Sequence, residues 1–256
     1  MRFTKMEGLG NDFVVVDASV RVDPALVRRL TDRKRGVGAD GLLQVSVDNG
    51  VVRMGYWNAD GSVAEMCGNG LRCVARYAVD QGLAAGNAFE VLTPVGGRRV
   101  ELSDQPRVEL GPVEVGESFE FEGWLFHRVA VGNPHAVAIV EDLPVVPVAA
   151  LGSELGRLTP GGINVEFVRV VDPHRIEMRV WERGIGETLA CGSGMVAAAA
   201  AAHRLGFTES TLTVGVPGGD GIVELEGSTS WLTGPVSYVF TGELAEIASF
   251  RESESR

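Results

Sequence analysis

The stretches "CGNG" at 67–70 and "CGSG" at 191–194 hold two of the three cysteines in a chain of 256 residues. Around them, other landmarks fall into the same order at an offset of about 123 residues. Trp57 and Trp181 each stand ten residues before their cysteine, and Gly82 and Gly206 each stand fifteen after it. "GND" (10–12) precedes the apolar run "FVVVD", as "GNPH" (132–135) precedes "AVAIVED". "GVGADGLLQV" lies opposite "PGGINVEFVRV", "MGYWNADG" opposite "MRVWERGIG", and "TPVGGRRVEL" opposite "VPGGDGIVEL". Each match alone is weak, but six in one order describe a duplicated unit. The expected domains are 1–112 and 113–237, joined near 110–125 where "GPVEVGESFEFEG" is rich in turn formers and acids. A C-terminal strand within about 238–256 is expected to complete the first domain.

Within each unit, short Val/Ile/Leu/Phe-rich runs punctuated by Gly, Pro, Asn and Asp read as strands. Two segments per unit read as helices. "DPALVRRLTDR" offers Asp23 as N-cap and Pro24 at the first helical position. The next helix starts just after Cys67 and is expected to stop at Gly82; its counterpart runs from Gly192 to Leu205 and stops at Gly206. The run Met195–Ala202 is apolar on every side, so that helix is expected to be enclosed by sheet. The predicted fold is α+β: two pseudo-repeated domains, each a curled, mainly antiparallel sheet around a central helix, with the active site at the domain interface.

Composition narrows the function. A formal charge of −11 argues against nucleic acid or an anionic membrane as partner, since both favour a basic surface. The longest apolar run is too short to cross a bilayer. The start "MRFTKMEGLGNDF" lacks the apolar stretch of a signal peptide, and three cysteines cannot all pair, so a cytoplasmic location with reduced thiols is expected. No C-x-x-C or His/Cys cluster has metal-ligand spacing, so no metal is expected. Lys34 reads as solvated surface and Lys5 lies at the N-terminus, and these two are the chain's only lysines. A pyridoxal phosphate enzyme needs a lysine for its Schiff base, so no cofactor is expected. "GVGADG" (36–41) matches a dinucleotide-binding pattern, but a helix precedes it and a strand follows, the reverse of the required order.

A free cysteine is most often a small buried hydrophobe, and that reading suits Cys73, whose counterpart in the second unit is Ala197. Cys67 and Cys191 differ: each opens a helix, where unpaired N–H groups and the macrodipole favour a thiolate. The Gly-x-Gly that follows lets those N–H groups approach an anion closely. If the units pack about an approximate two-fold axis, two helix N-termini share one carboxylate, with a thiol on either side of the adjacent carbon. Inverting a stereocentre needs a base on one face and an acid on the other, which is what this repeat supplies.

The stretches "MEGLGNDFVVVD", "NADGS", "MCGNGLRC", "GNPH", "WERGIGETLACGSG" and "TGE" together resemble the diaminopimelate epimerase family over nearly the whole chain. The resemblance implies pyridoxal-independent interconversion of LL- and meso-diaminopimelate, feeding lysine and peptidoglycan synthesis. It implies that Cys67 and Cys191 exchange the roles of proton acceptor and donor, and that the backbone at Gly68, Asn69, Gly192 and Ser193 holds the reacting carboxylate. It places Asn11, Asn58, Asn133 and Asn164 along the substrate, where the bland reading makes such asparagines turn formers. Asn58, Asn164 and Arg183 are expected at the substrate's far end, since an arginine fork suits a second carboxylate. His135 and Glu182 are implied to tune the thiols; otherwise His135 is a core histidine and Glu182–Arg183 a surface pair. His127, His174 and His203 read as structural.

Two departures stand out. Some members carry a substrate-site glutamine where this chain has Gly41. The family also implies a homodimer, supported in some members by a tyrosine near the C-terminus; Ala248 stands there in this chain, which weakens the implication. A racemase of this fold acting on another amino acid is the alternative within the class. A thiol redox or non-catalytic binding protein is the alternative outside it, though no resolving cysteine partners either motif.

Overall fold

A computed structural model describes residues 1–64 and 66–244. The chain forms β1 (Arg2–Gly8), β2 (Asn11–Asp17), α1 (Pro24–Thr31), β3 (Gly41–Asp48), β4 (Val51–Asn58), α2 (Gly68–Asp80), β5 (Ala88–Thr93), β6 (Gly96–Leu102) and β7 (Pro106–Gly111). It continues through β8 (Glu114–Phe121), β9 (Trp124–Ala130), β10 (Pro134–Ile139), α3 (Val148–Leu158), β11 (Asn164–Asp172) and β12 (Arg175–Glu182). Then follow β13 (Gly186–Thr188), α4 (Gly192–Arg204), β14 (Thr211–Val216), β15 (Gly219–Glu226), β16 (Thr229–Thr233) and β17 (Ser237–Glu243).

Strand pairing repeats in the same order. β1 pairs antiparallel with β2, which pairs parallel with β3, as β9 does with β10 and β10 with β11. β3–β4 and β11–β12 are antiparallel; β4–β5 and β12–β14 are parallel. The hairpins β5–β6–β7 and β14–β15–β16 then close each series. β13 is an addition to the second series, paired antiparallel with β12. β17 returns to pair with β1 in the position that β8 holds beside β9, and β16 pairs with β7 across the two halves. Antiparallel pairing predominates, as expected for an α+β fold.

The helices form for reasons visible locally. Asp23 caps α1 by accepting the Leu26 N–H at 2.9 Å, with Pro24 beside it. Past α2 and α4, Gly82 and Gly206 take φ of +66° and +79°, the left-handed stop that glycine adopts without strain. α2 is sided, burying Leu71, Val74, Ala75 and Ala78, whereas α4 buries every residue from Met195 to Ala202. Both helices belong to one continuous core, which the strands enclose as a single sheet of 17 strands joined across the halves by β16 and β7. Apolar helices lacking a polar face are stable only when wrapped in this way.

Some expectations need correction. The acidic stretch after Gly111 is not a linker: it forms β8, which alternates outward-facing acids with half-buried Val115, Phe119 and Phe121. Lys5, near the N-terminus, is buried, with its ammonium on Asp12 at 2.5 Å and on the Gly38 carbonyl. Ala248 lies outside the described residues. Among the described residues, no helix is long and apolar enough to cross a membrane.

Candidate active site

A cleft of about 550 Å³ opens where α2 and α4 begin. Cys67 and Cys191, the N-cap residues of these helices, both line it in extended conformation. The helix starts touch: a Cβ on Gly192 would stand 3.2 Å from the Gly68 Cα and 3.4 Å from the Asn69 nitrogen. A side chain at Gly192 would therefore press on the backbone of the other helix start, and glycine there lets the two N-termini converge on one spot. The side chain of Asn69 bridges the halves, donating to the Ala190 carbonyl at 3.3 Å and to Asn11 Oδ1 at 3.4 Å.

Every expected site residue but one lines this cleft: Asn11, Asn58, Cys67, Gly68, Asn69, Asn133, Asn164, Glu182, Arg183, Cys191, Gly192 and Ser193. The exception is His135, which is 1% exposed and sits behind the cleft wall. Its Nε2 meets Asn133 Oδ1 at 2.9 Å and its Nδ1 meets Glu166 Oε1 at 2.7 Å. Asn133 in turn donates to Ser193 Oγ at 3.4 Å, and Ser193 Oγ lies 3.6 Å from Cys191 Sγ. His135 thus reaches the thiols only through other side chains.

The surroundings of Cys67 are different. Its Sγ donates to Asn11 Oδ1 at 3.5 Å and accepts the Gly70 N–H at 3.4 Å. Asp40 holds that asparagine in place, accepting from Asn11 Nδ2 at 2.7 Å. Arg33 joins Asp40 and Asp12, and Lys5 closes the network from below. On the far wall, Asn164 is engaged by backbone at both ends, donating to the Pro134 carbonyl and accepting the Arg183 N–H at 2.9 Å. The Arg183 guanidinium donates to the Gly161 carbonyl at 3.1 Å and otherwise faces solvent. Asn58 donates to Ser62 Oγ at 3.0 Å.

The helix N-termini were expected to favour thiolates. Burial prevails instead: it pushes the Cys67 thiol up to about 11 against the pull of the Gly70 N–H, with Glu182 adding to the rise. Burial likewise raises Cys191 well above the ordinary thiol range, reinforced by Glu182 and Glu166. Burial raises Glu182 too, against hydrogen bonds from Thr188 at 2.5 Å and from Cys191.

Sequence reasoning missed Asp40, Tyr56, Arg98 and Thr188, all of which line the cleft, and the buried Glu166 behind it. Asp40 lay inside the dismissed "GVGADG", whose neighbour Gly41 matches the chosen Asn164 in the repeat; that correspondence was the available signal. A Cβ on Gly41 would come within 2.7 Å of the Tyr56 ring and of the Trp57 carbonyl, so the backbone there has no room for a side chain.

Known proteins agree with this architecture. The family model described as diaminopimelate epimerase matches residues 3–116 and 128–239. A diaminopimelate epimerase of Desulfitobacterium hafniense is 42% identical, over 97% of this chain and 99% of the relative. One from Halorhodospira halophila is 40% identical, over 97% and 96%. Among solved structures, a probable proline racemase of Agrobacterium radiobacter superposes with a TM-score of 0.75 at 15% identity, covering 96% of this chain and 93% of that one. A phenazine biosynthesis protein of the PhzF family from Enterococcus faecalis gives 0.75 at 14% identity, covering 95% and 98%. These more distant likenesses establish a shared two-domain fold. By sequence over nearly its full length, the chain belongs to the diaminopimelate epimerase family.

Proposed function

We propose that this protein interconverts LL- and meso-diaminopimelate without a cofactor, by proton transfer between the substrate α-carbon and two opposed thiols. The observation that carries the reading is the convergence of two helix N-termini, each capped by a cysteine, on one cleft. The N–H groups at Gly68, Asn69, Gly192 and Ser193 bind the α-carboxylate and stabilise the negative charge that develops when the α-proton leaves. One sulfur, as thiolate, takes that proton from one face; the other, as thiol, gives its proton to the opposite face. The balance is neutral: the two sulfurs end with their protonation states exchanged, and the reverse reaction restores them.

Asn11 and Asn133 flank the reacting carbon from the two halves, while Glu182 and Arg183 reach the substrate's ammonium and distal carboxylate, and Asn58 assists. Asn164 serves mainly by fixing the Arg183 backbone. His135 and Glu182 adjust the thiols, His135 acting through Asn133 and Ser193. The repeating units span 1–112, completed by a C-terminal strand within about 238–256, and 113–237. The reading places the enzyme in the cytoplasm, supplying lysine and peptidoglycan precursors. The test is an epimerisation assay with purified protein on LL-diaminopimelate beside alanine, proline and histidine. The diaminopimelate is expected to turn over and the others poorly; faster inversion of any of the three contradicts the substrate assignment.

A further inference from the structure

The duplicated frame allows a comparison of the two thiols position by position, and the positions do not match. In the first half, β2 and β3 pair Phe13 with Gly41, and Leu43 follows two residues later, opposite Tyr56. In the second half, β10 and β11 pair His135 with Asn164, and Glu166 follows two residues later, opposite Val180. An apolar floor of Phe13, Leu43 and Tyr56 on the Cys67 side, with Phe13 and Tyr56 in edge contact, is thus replaced on the Cys191 side by a buried His–Glu pair. Nine residues before each cysteine stand Asn58 and Glu182, and five residues after each stand Arg72 and Val196. At these positions the swaps run in one direction, while Asp40, which holds Asn11 beside Cys67, is matched by Ile163 in the second half and runs against them. The Cys67 side gains a cation, and the Cys191 side gains two carboxyl groups.

These replacements are expensive to maintain. Glu166 is fully buried, and its Oε2 has no hydrogen-bond partner. Arg72 is fully buried, and Nε and both terminal nitrogens of its guanidinium have none either, the group being packed against Gly8 and Gly234. Buried charge short of hydrogen bonds is costly, and Arg72 has none while Glu166 has only His135, so fold stability alone explains neither residue. Both act where the cysteines are. The vacant Cβ position of Gly194 lies 2.8 Å from Glu166 Oε1 and 3.4 Å from Cys191 Sγ, so carboxylate and sulfur flank the same point. Only glycine leaves that line of sight open, and His135, standing where the first half has Phe13, keeps the Glu166 carboxyl from swinging away. Arg72 lies on the helix that Cys67 caps, one turn inside it.

Resting on the two-thiol reading above, we propose that Arg72 and Glu166 are positioning residues that break the symmetry of the pair, so that Cys67 ionises before Cys191. The free enzyme then presents Cys67 as base and Cys191 as acid. The α-proton moves from carbon to Cys67 Sγ, and the Cys191 proton moves to the opposite face of the carbon. The charged and titratable groups around the pair include Asp40, which reaches Cys67 through Asn11, and the thiol of Cys73 on α2. Cys67 faces Arg72 from α2, Tyr56 from β4 and Glu182 from β12. Cys191 faces Glu182 from β12, Glu166 from β11 and Tyr56 from β4. Glu182 and Tyr56 see both sulfurs; Arg72 and Glu166 each favour one. Burial raises both thiols most and Glu182 adds to the rise at each; Glu166 raises Cys191 further, while Arg72 draws Cys67 down.

The test is the rate of alkylation of each cysteine by iodoacetamide across pH, read by peptide mass spectrometry on the full-length protein. Comparing each sulfur with itself between variants removes the difference in access. Glu166→Gln, which keeps an acceptor for His135, is expected to raise the rate at Cys191 about tenfold near pH 8, the change that one pH unit in thiol ionisation gives, with Cys67 little affected. Arg72→Met is expected to lower the rate at Cys67 by a similar factor and spare Cys191; should it fail to fold, Glu166→Gln decides alone. A Glu166→Gln protein in which Cys191 keeps its wild-type rate, or in which both sulfurs speed up together as a loosened core would allow, overturns the proposal. Alkylation does not require turnover, so this result stands apart from the two-thiol reading, which fails separately if Cys67→Ala or Cys191→Ala still epimerises diaminopimelate.

Discussion

Cys67 and Cys191 differ from Cys73 in surroundings, not in chemistry. Cys73 is completely buried in the face of α2 that meets the sheet, and no cleft reaches it. Cys73→Ala is therefore expected to cost about 1 kcal/mol of stability for the small void and to leave turnover intact. Cys67→Ala and Cys191→Ala are expected to keep the fold and lose inversion, which a coupled assay with each purified variant checks. Asp12 makes a pH prediction. Burial opposes its charge, but hydrogen bonds from Arg33 and Lys5 outweigh that and hold its carboxyl at about 2, below the ordinary 3.8. The folded-state value being the lower, its stabilisation of about 2 kcal/mol is complete above about pH 4 and is lost as pH falls toward 2. Asp12→Asn should accordingly lower the neutral-pH unfolding free energy by that amount and flatten its acid limb, as followed by urea titration at a series of pH values. The thiols and the glycines beside them were legible in the sequence because the repeat marks them twice, whereas the asparagines, Glu182 and Arg183 were implied by the family resemblance. Glu166 was not, since its counterpart is Leu43 and a carboxylate inside an apolar strand carries no periodic signal.

α2 and α4 are where local sequence and function coincide. Their Gly-x-Gly starts let two helix N-termini meet with 3.2 Å between a would-be Cβ on Gly192 and the Gly68 Cα. Backbone cannot yield there as a flexible side chain can. Gly192→Ala should push the termini apart and lower kcat/KM by on the order of 10²-fold with little change in the thermal midpoint, the penalty for misplacing reacting groups by about an ångström. Steady-state kinetics beside a melting curve separates that outcome from simple unfolding. Helix limits were readable from Asp23, Pro24, Gly82 and Gly206, since caps and stops are written in single residues. The strand β8 was misread as a linker because its outward face is so acidic that turn formers and charge hid the alternation of Val115, Phe119 and Phe121. Edge strands carry such charge to discourage further pairing, so composition alone misleads there.

The two halves are held together by more than the cleft. β16 pairs with β7 across them, and Trp231 of β16 lies under Arg107 at 3.9 Å and Arg99 at 4.9 Å, both from the first half. Trp231 is 2% exposed, so Trp231→Ala should cost about 3–5 kcal/mol and broaden or split the unfolding transition, as calorimetry would show. The duplication was visible in the sequence because it preserves landmarks in order, whereas the crossing of β16 onto β7 pairs residues more than a hundred apart and leaves no local trace. The same duplication makes one reaction possible, inversion at a carbon held between two like-placed sulfurs. Incubating LL-diaminopimelate with the purified protein in heavy water, with nothing else added, examines that most directly by mass spectrometry and proton NMR of the products. Meso-diaminopimelate should appear with one deuterium at the inverted α-carbon, and neither product nor label should form with Cys67→Ala or Cys191→Ala. Meso product free of solvent deuterium, or inversion that survives in either variant, would contradict the two-thiol account.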